Sequence, residues 1–561
     1  MQFKKTLVRL LLILFPLAGA AQTTYLPQGD KANLLLERLE IKAGKDSILN
    51  FSKTRPWSRK QAFNGVQHYM QQPGDKSLSK TDLYNIHSFY LNNLEWVPAA
   101  ELAQYNSKKP IAKSFYKTPA NLYEAHVKDL DLIINPVIQY ALSKENNNSE
   151  KLFLSTRGLT VRGRIANKIG FNIYITDNQE RDPSYVQQWV TGHLAVPGAG
   201  LYKAFKGTGY DYFDARGYFT FNVTKYIDVA FGYDKQFIGN GYRSLFLSDF
   251  SNNILFLKLN TRIWKFNYQN LFMELHPTES VLQNRLLPKK YAVMHHLDVN
   301  ITKRWNVGLF EGVMFGRKDR FEFGYLNPVI FYRSIELQNG SFDNSVAGAD
   351  FKVNFKKHFQ AYGQFLLDDI NIAELKKNSG YWANKWGIQL GGKYIDAFGI
   401  KNLDLQGEIN RVRPFVYSHY DSTANYSHYN QPLAHPLGAN FQEFIAIARY
   451  QPAPRWYGVV KIIAWKQGLD LPGDSYGANI FLPNSSVYRQ RDYGYHIGDG
   501  RQSKGLYISL LASYEIRENV FIDLSLVKRK LDITTAPVVN TDATIISGGF
   551  RINIARREFE F

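Results

Sequence analysis

The sequence predicts an all-β transmembrane barrel of about 18 antiparallel strands, preceded by an N-terminal, mainly helical periplasmic module. Three observations carry that expectation. The chain opens with an export signal, its hydrophobic period changes from helical to two near Leu130, and from there tight basic turns alternate with long polar loops. Composition agrees: of 561 residues 45% are apolar and 15% aromatic, the latter carried by 36 Tyr and 38 Phe, which is enough apolar mass for a core and excludes disorder. The absence of cysteine excludes a disulfide framework and any Cys-ligated zinc or iron–sulfur centre. The net charge of +19 comes without a nucleic-acid-binding motif, so no nucleic-acid partner is expected.

Residues 1–21 read as a signal peptide. Lys4, Lys5 and Arg9 precede the apolar run Leu10–Leu17, and Ala18-Gly19-Ala20 offers small residues for cleavage. The run is too short to cross a bilayer as a helix, and no later stretch has 18 uncharged apolar residues. The chain is therefore exported without a helical membrane span, and a barrel places it in the bacterial outer membrane.

Residues 22–127 form the predicted helical module. Leu34, Leu35, Arg38 and Leu39 recur at helical spacing within Asp30–Ile41. Ser58–Gln72 begins with Ser after Pro56, Ser79 opens a run through Trp96, and Asn121–Asp129 reads as one or two further helical turns after Pro119.

Residues 128–561 form the predicted barrel. Ile169, Phe171, Ile173 and Ile175 alternate with Gly170, Asn172, Tyr174 and Thr176, and Ile227, Val229, Phe231 and Tyr233 alternate with Asp228, Ala230, Gly232 and Asp234. Trp264, Phe266 and Tyr268 likewise alternate with Lys265, Asn267 and Gln269. This phase puts Phe219 and Phe231 against lipid and Asp228, Asp234 and Lys265 inside. Tight turns are expected at 166–168, 224–226, 260–262, 302–304, 356–358, 395–401, 451–455 and 515–519, with long loops between them. Eight such turns pair sixteen strands; Leu130–Leu142 and Ala543–Ala555 complete 18, although Pro136 is awkward inside a closed sheet. The terminal aromatic Phe561, alternating with Glu560 and Phe559, resembles the assembly signal of such barrels.

Enzyme chemistry finds no support. Gly473-Asp474-Ser475-Tyr476-Gly477 matches a hydrolase elbow but lacks the strand before it and the helix after it. His295 and His296 point to opposite faces of a strand and cannot chelate one metal, and Asp368-Asp369 reads as a solvated strand end. No cofactor, metal site or catalytic residue is expected. Binding is another matter. Arginine presents a planar fork to carboxylates and phosphates, and aromatic faces suit sugar rings. Near the long loops these types meet in Tyr242, Arg243, Trp382, Trp386, Arg411, Arg413, Tyr488, Arg489, Arg491 and Tyr493, the candidate glycan contacts. Arg489 and Arg491 stand two apart between Tyr488 and Tyr493, so an extended loop would send both guanidinium groups to one side. The alternative for any of these residues is an interfacial girdle, which every barrel carries.

Phe51–Lys60, with Arg55-Pro56-Trp57-Ser58-Arg59, Gly241–Asp249, Tyr325–Arg333 followed by Asp343-Asn344, and Gln431–Phe441 resemble the Wzi-like family of capsule-assembly outer-membrane proteins, in particular its RemB-like branch from gliding bacteria. The resemblance covers most of the mature chain and implies an 18-stranded barrel with a periplasmic helical bundle. It also implies a lectin-like role in which surface loops tether exported polysaccharide, without assigning any residue here to the sugar. The expected function is thus binding of acidic polysaccharide or lipopolysaccharide, for capsule attachment or gliding, with outer-membrane lipid around the wall. The alternatives are a diffusion porin for anionic solutes, and an accessory subunit of a secretion or motility machine that meets a periplasmic protein through residues 22–127.

Overall fold

The computed structural model describes residues 23–73, 77–277, 286–329, 331–340 and 343–561; the signal-peptide reading lies outside them. Eighteen long antiparallel strands close into one barrel. They are β1 Leu130–Glu145, β2 Leu152–Ile165, β3 Ile169–Arg181, β4 Gly209–Asn222, β5 Ile227–Asp234, β6 Ile254–Ile263, β7 Phe266–Leu275, β8 Lys290–Asn300 and β9 Trp305–Phe315. The second half comprises β10 Asn344–Phe355, β11 Phe359–Asp369, β12 Lys385–Tyr394, β13 Leu403–Val412, β14 Phe441–Tyr450, β15 Trp456–Leu469, β16 Arg501–Arg517, β17 Val520–Ile533 and β18 Val539–Ile552. Each strand pairs with its sequence neighbour, and β18 returns to β1 with Ile552 opposite Ile138.

Alternation sets the two faces. Phe231, Leu309, Leu390, Ile409, Phe444, Leu510, Leu524 and Ile546 remain exposed on the outer wall, whereas Ala230, Gln389, Glu408, Asn410 and Glu443 are buried inside. Trp264, Trp305, Trp456 and Tyr450 are exposed close to the tight turns, where amphipathic rings mark a membrane edge. With a closed sheet, each strand is hydrogen-bonded to a neighbour on both sides and an apolar belt of side chains meets lipid; this is an outer-membrane barrel.

Pro136 fits for a specific reason. The edge of β1 is shared: residues 138–145 pair with β18, and Leu130–Ile134 pair with the short strand Tyr123–Val127. Pro136 falls between the two ladders. Its carbonyl accepts from Asn553 Nδ2 on that side at 2.9 Å, so its missing N–H also points into the gap and no ladder bond is lost. The same open edge corrects the helical reading of Asn121–Asp129, because an unpaired β edge recruits Tyr123–Val127 as strand.

Three other expectations need correction. The turn expected at 260–262 lies at Trp264-Lys265, since Asn260, Thr261 and Arg262 stay in register with Gln269, Tyr268 and Asn267; Lys265 is therefore in a turn and not on the inner face. Asp368 is not solvated: its carboxylate pairs with Lys385 Nζ at 2.7 Å and accepts from Tyr417 N at 2.7 Å, tying a loop to the wall. The last strand ends at Ile552, and Phe561 is not on it. Residues 553–561 turn into the barrel, where Glu558 and Glu560 both pair with Lys461 of β15 and Phe561 packs 5.3 Å from the Trp189 ring.

At the tight-turn end sit three capped helices. α1 (Lys31–Ala43) starts at Asp30, whose carboxylate accepts from Ala32 N, and stops at Gly44 in the left-handed region. α2 (Arg59–Gln71) is capped by Ser58, and α3 (Lys80–Leu91) opens with a capping box of Ser79 and Asp82. Leu35, Leu36, Leu39, Phe63, Val66, Ile86 and Phe89 form their common core. Each fully buried Leu or Phe contributes about 1.5–3 kcal/mol.

The lumen is filled from both ends. Residues 48–58 project inward from the helices, with Thr54-Arg55 paired to Phe237-Ile238. From the other end, residues 239–253 and 413–440 fold inward instead of standing above the barrel, so that Leu245, Phe246, Leu247, Tyr417, Tyr426 and Leu433 pack on inward Phe256, Met294, Phe310, Met314 and Phe441. Seven of these side chains, Leu245, Phe246, Leu247, Tyr426, Leu433, Met314 and Phe441, have no exposure at all, which is a hydrophobic core and not a water column.

Candidate functional site

At the long-loop end, residues 379–384, 413–418 and 470–500 are knitted into one cap over the barrel. The Asp470 carboxylate accepts from Tyr476 N at 2.6 Å and from Ala478 N at 3.3 Å, shaping the turn through Gly473 and Gly477, both at positive φ. A Cβ on Gly477 would stand 2.3 Å from Phe415 N, so glycine is required for that approach. Ser475 is buried in this turn, with its hydroxyl accepting from Gly477 N at 3.1 Å; it has neither the strand nor the helix of a nucleophile elbow.

A short backbone ladder joins the first and third segments. Gly494 N and Tyr495 N donate to Ser379 O and Gly380 O, each at 2.9 Å, and Trp382 N donates to Asp492 O at 3.0 Å. Arg413 clamps the seam from below: its Nε donates to Asn384 O at 2.7 Å, and Nη2 reaches Tyr381 O and Tyr495 O. Arg489 is buried. Its guanidinium lies 4.2 Å from the centre of the Trp382 ring, donates to Arg491 O at 2.6 Å and pairs with Asp492.

Arg491, in contrast, is exposed and lies 4.8 Å from the Tyr476 ring centre and 5.0 Å from that of Tyr495. Burial is the largest single influence and works against its charge, but the hydroxyls of Tyr476 and Tyr495 together outweigh it and raise its affinity for the proton above the ordinary guanidinium value. Tyr493, half exposed, lies tilted 5.5 Å from Tyr381, and Tyr488 is 40% exposed while its carbonyl accepts from Ser475 N. The product is a cationic centre among tilted aromatic faces at the open surface. Such a surface can hold an anionic ring molecule by charge and by stacking.

Six of the ten candidate residues therefore meet here: Trp382, Arg413, Tyr488, Arg489, Arg491 and Tyr493. The expected parallel pair of guanidinium groups does not form. Arg489 N and Tyr488 N both donate to Ser485 O, so the chain is turned at this point, and the spacing-two rule for extended backbone fails. Tyr242 and Arg243 lie deep in the lumen: the Glu408 carboxylate accepts from both backbone N–H groups, and Glu560 accepts from the Tyr242 hydroxyl at 2.6 Å. Trp386 and Arg411 face outward from β12 and β13, on the side that carries Leu390 and Ile409. Tyr381 and Tyr476, both half-buried, join the surface without being candidates in the sequence, and the fully buried Tyr495 backs Arg491 from beneath; the Tyr493-x-Tyr495 spacing is the available signal. His296 points inward onto Asp350 at 2.7 Å and His295 outward onto Tyr332, and among the described residues no group of acidic and His side chains could hold a metal.

No family model matches the chain, and no curated protein matches it in sequence. Among solved structures, the barrel is similar to Wzi of Escherichia coli, an outer-membrane protein involved in group 1 capsule assembly and described as a carbohydrate-binding β-barrel. That match has a TM-score of 0.58 at 13% identity and spans 96% of this chain and 100% of the other. OprD of Pseudomonas aeruginosa (TM-score 0.40, 11% identity, 76% of this chain and 94% of the other) and OccAB4 of Acinetobacter baumannii (0.43, 10%, 76% and 98%) also match. At such identities the likeness to Wzi is one of fold. The fold is that of bacterial outer-membrane proteins, and the outer membrane is where the chain resides.

Proposed function

We propose that this barrel is a non-enzymatic binding protein for exported or surface polysaccharide, serving capsule attachment or gliding. The observation that carries the reading is the exposed Arg491 set between Tyr476 and Tyr495, with Tyr488 and Tyr493 beside it, on a cap whose backbone is fixed from beneath by Arg413 and Arg489. A permanent cation among aromatic faces selects acidic sugars or lipopolysaccharide phosphates over neutral solutes. The fold likeness to a carbohydrate-binding barrel supports the same reading, and the RemB-like motifs point to the gliding branch. In this orientation the helices α1–α3 of the 22–127 module face the periplasm, where a protein partner would meet them, while residues 48–58 and 123–127 are engaged by the barrel.

Binding of acidic polysaccharide to the purified protein should be measured as salt is raised. Retention should fall as charges are screened over about 10 Å at 0.1 M. Failure of the protein to retain any acidic glycan at low salt would overturn the proposal in favour of a machine subunit. A diffusion channel is the other reading of an 18-stranded barrel, which is wide enough to conduct unless filled. The apolar packing of residues 239–253 and 413–440 inside the wall supports a closed barrel, and single-channel recording should find no steady open conductance.

A further inference from the structure

We infer that the loop between β9 and β10 is a protein interface within the membrane, and that a second copy of this chain covers it. β7, β8 and β9 have 10, 11 and 11 residues, about the minimum that crosses a bilayer, so their whole outer face lies at lipid depth. The loop that leaves Phe315 does not rise from the wall. It folds down its outer side and returns through the helix α4 (Tyr332–Asn339).

Three contacts trace the descent. Near the top, the Ser345 hydroxyl donates to Glu336 at 2.6 Å; lower, Arg333 N donates to Glu311 of β9 at 3.3 Å; lowest, the Tyr268 hydroxyl donates to Pro328 O at 2.5 Å. Glu274, Tyr291 and Phe315 share the top row of the ladder, whereas Tyr268 shares its row with Leu297 and Leu309, six residues below. At 3.3 Å per residue the loop reaches about 20 Å along the wall. It seals a polar stripe on the way: outward-pointing Asn270 and His295 are only 2% and 7% exposed, with the His295 ring 3.9 Å from that of Tyr332. Tyr325, Tyr332 and Ile335 bury Val293, Val313 and Phe315 beneath them.

The outer surface of the loop is what demands a partner. Phe323, Val329, Phe331 and Leu337 are 78%, 81%, 77% and 65% exposed, and the Arg333 side chain between them is 57% exposed. Irregular backbone at lipid depth is tolerated only where protein covers it, and a guanidinium group there is costly. The chemistry of the cover follows from charge. Over residues 323–339 the only charged side chains are Arg333 and Glu336, which neutralise each other at 2.5 Å. A neutral apolar patch needs no oppositely charged partner and is complementary to itself across a two-fold axis. Its four large apolar side chains offer about 550 Å² per copy, and the resulting total of about 1,100 Å² reaches the size of a specific interface.

The chain has no cysteine, so Phe331→Cys supplies the single thiol for cross-linking in isolated outer membranes. A short bis-maleimide should yield a band at twice the monomer mass, whereas Leu524→Cys, 60% exposed on the outer face of β17, should yield none. Val329→Cys serves if Phe331→Cys fails to show the heat-modifiable mobility of an assembled barrel. A cross-link at any other mass, or no cross-link together with quenching of a fluorophore on the same thiol by doxyl-labelled phosphatidylcholine, would overturn the inference.

Discussion

The two ends of the barrel are held by different chemistry. At the tight-turn end, buried ions fix the helices: Arg38 pairs with Asp82 at 3.0 Å, with Asp396 at 2.9 Å and with Asp404, while Lys31 pairs with Glu515 and Glu518 at 2.5 and 2.6 Å. At the long-loop end, backbone ladders and ring contacts knit the cap, and one cation is left at the surface. Charges that are buried and mutually satisfied specify a position and present nothing to a ligand. Charges on an exposed aromatic bed can do the opposite. The difference separates an anchor from a receptor, and it can be tested from either side.

The largest effect is expected at the anchor. Arg38→Ala leaves three carboxylates with only Lys42, which pairs with Asp82 and Asp396, to balance them, and truncating one partner of a buried network costs about 3–5 kcal/mol. Limited proteolysis should then cut residues 23–120 while the barrel keeps its heat-modifiable mobility. Equal protease resistance in the variant and the wild type would mean that the helices are held by the apolar core alone.

The wall gives the next effect, because neither end reaches it. Phe219→Arg or Phe231→Arg should cost about 2–4 kcal/mol near the bilayer midplane, read from urea denaturation in lipid vesicles. Both rings are about half exposed on the outer face and 5.7 Å apart. Lys265→Arg, in a turn, should be nearly neutral. Similar tolerance at all three positions would show that Phe219 and Phe231 do not meet lipid.

Acid probes the anchor more gently. Burial raises the affinity of the Asp396 carboxyl for its proton, but Arg38, Lys42 and the Asn402 N–H more than reverse this and lower its pKa from 3.8 to about 2. Because the folded value lies below the ordinary one, the contribution is complete above about pH 4 and is lost as pH falls toward 2. Partly open to water, it is worth about 1–2 kcal/mol. Protease sensitivity of residues 23–120 should therefore rise between pH 4 and pH 2 and stay flat between pH 5 and pH 8. A transition near neutrality would place control elsewhere.

Alternation and turn chemistry were enough to read the strands, because a period of two with one apolar face has few other uses. Individual ends were harder. Asn260 and Arg262 look like turn residues, yet Asn260 bonds Asn267 across the ladder and Arg262 donates to Ile48 O, so polar side chains serving the lumen imitate a turn. The alternation of Glu558, Phe559, Glu560 and Phe561 was visible too, but it describes a segment that divides Lys461 from Trp189 inside the barrel as well as it describes a strand. Among the candidate contacts, residue type was legible and position was not. Nothing local distinguishes a long loop that folds inward, carrying Tyr242 and Arg243 to Glu560 and Glu408, from one that stays at the surface with Arg491.

The smallest effect sharpens the comparison within the cap itself, where two arginines two residues apart play opposite parts. Arg489 stacks on Trp382 and is occupied by Asp492 and Arg491 O, so Arg489→Ala should loosen the cap and make residues 470–500 sensitive to protease. Arg491 is exposed over Tyr476 and Tyr495, and its loss removes a charge without unseating a loop. An exposed cation–π contact is worth about 0.5–1 kcal/mol. Arg491→Ala should therefore weaken retention of acidic polysaccharide about twofold to fivefold, with proteolysis of the cap unchanged, and Arg491→Lys should restore part of it because the charge remains while the planar fork is lost. If Arg489→Ala and Arg491→Ala reduce binding together and both open the cap to protease, Arg491 is another anchor, and the receptor surface must be sought elsewhere on the long-loop end.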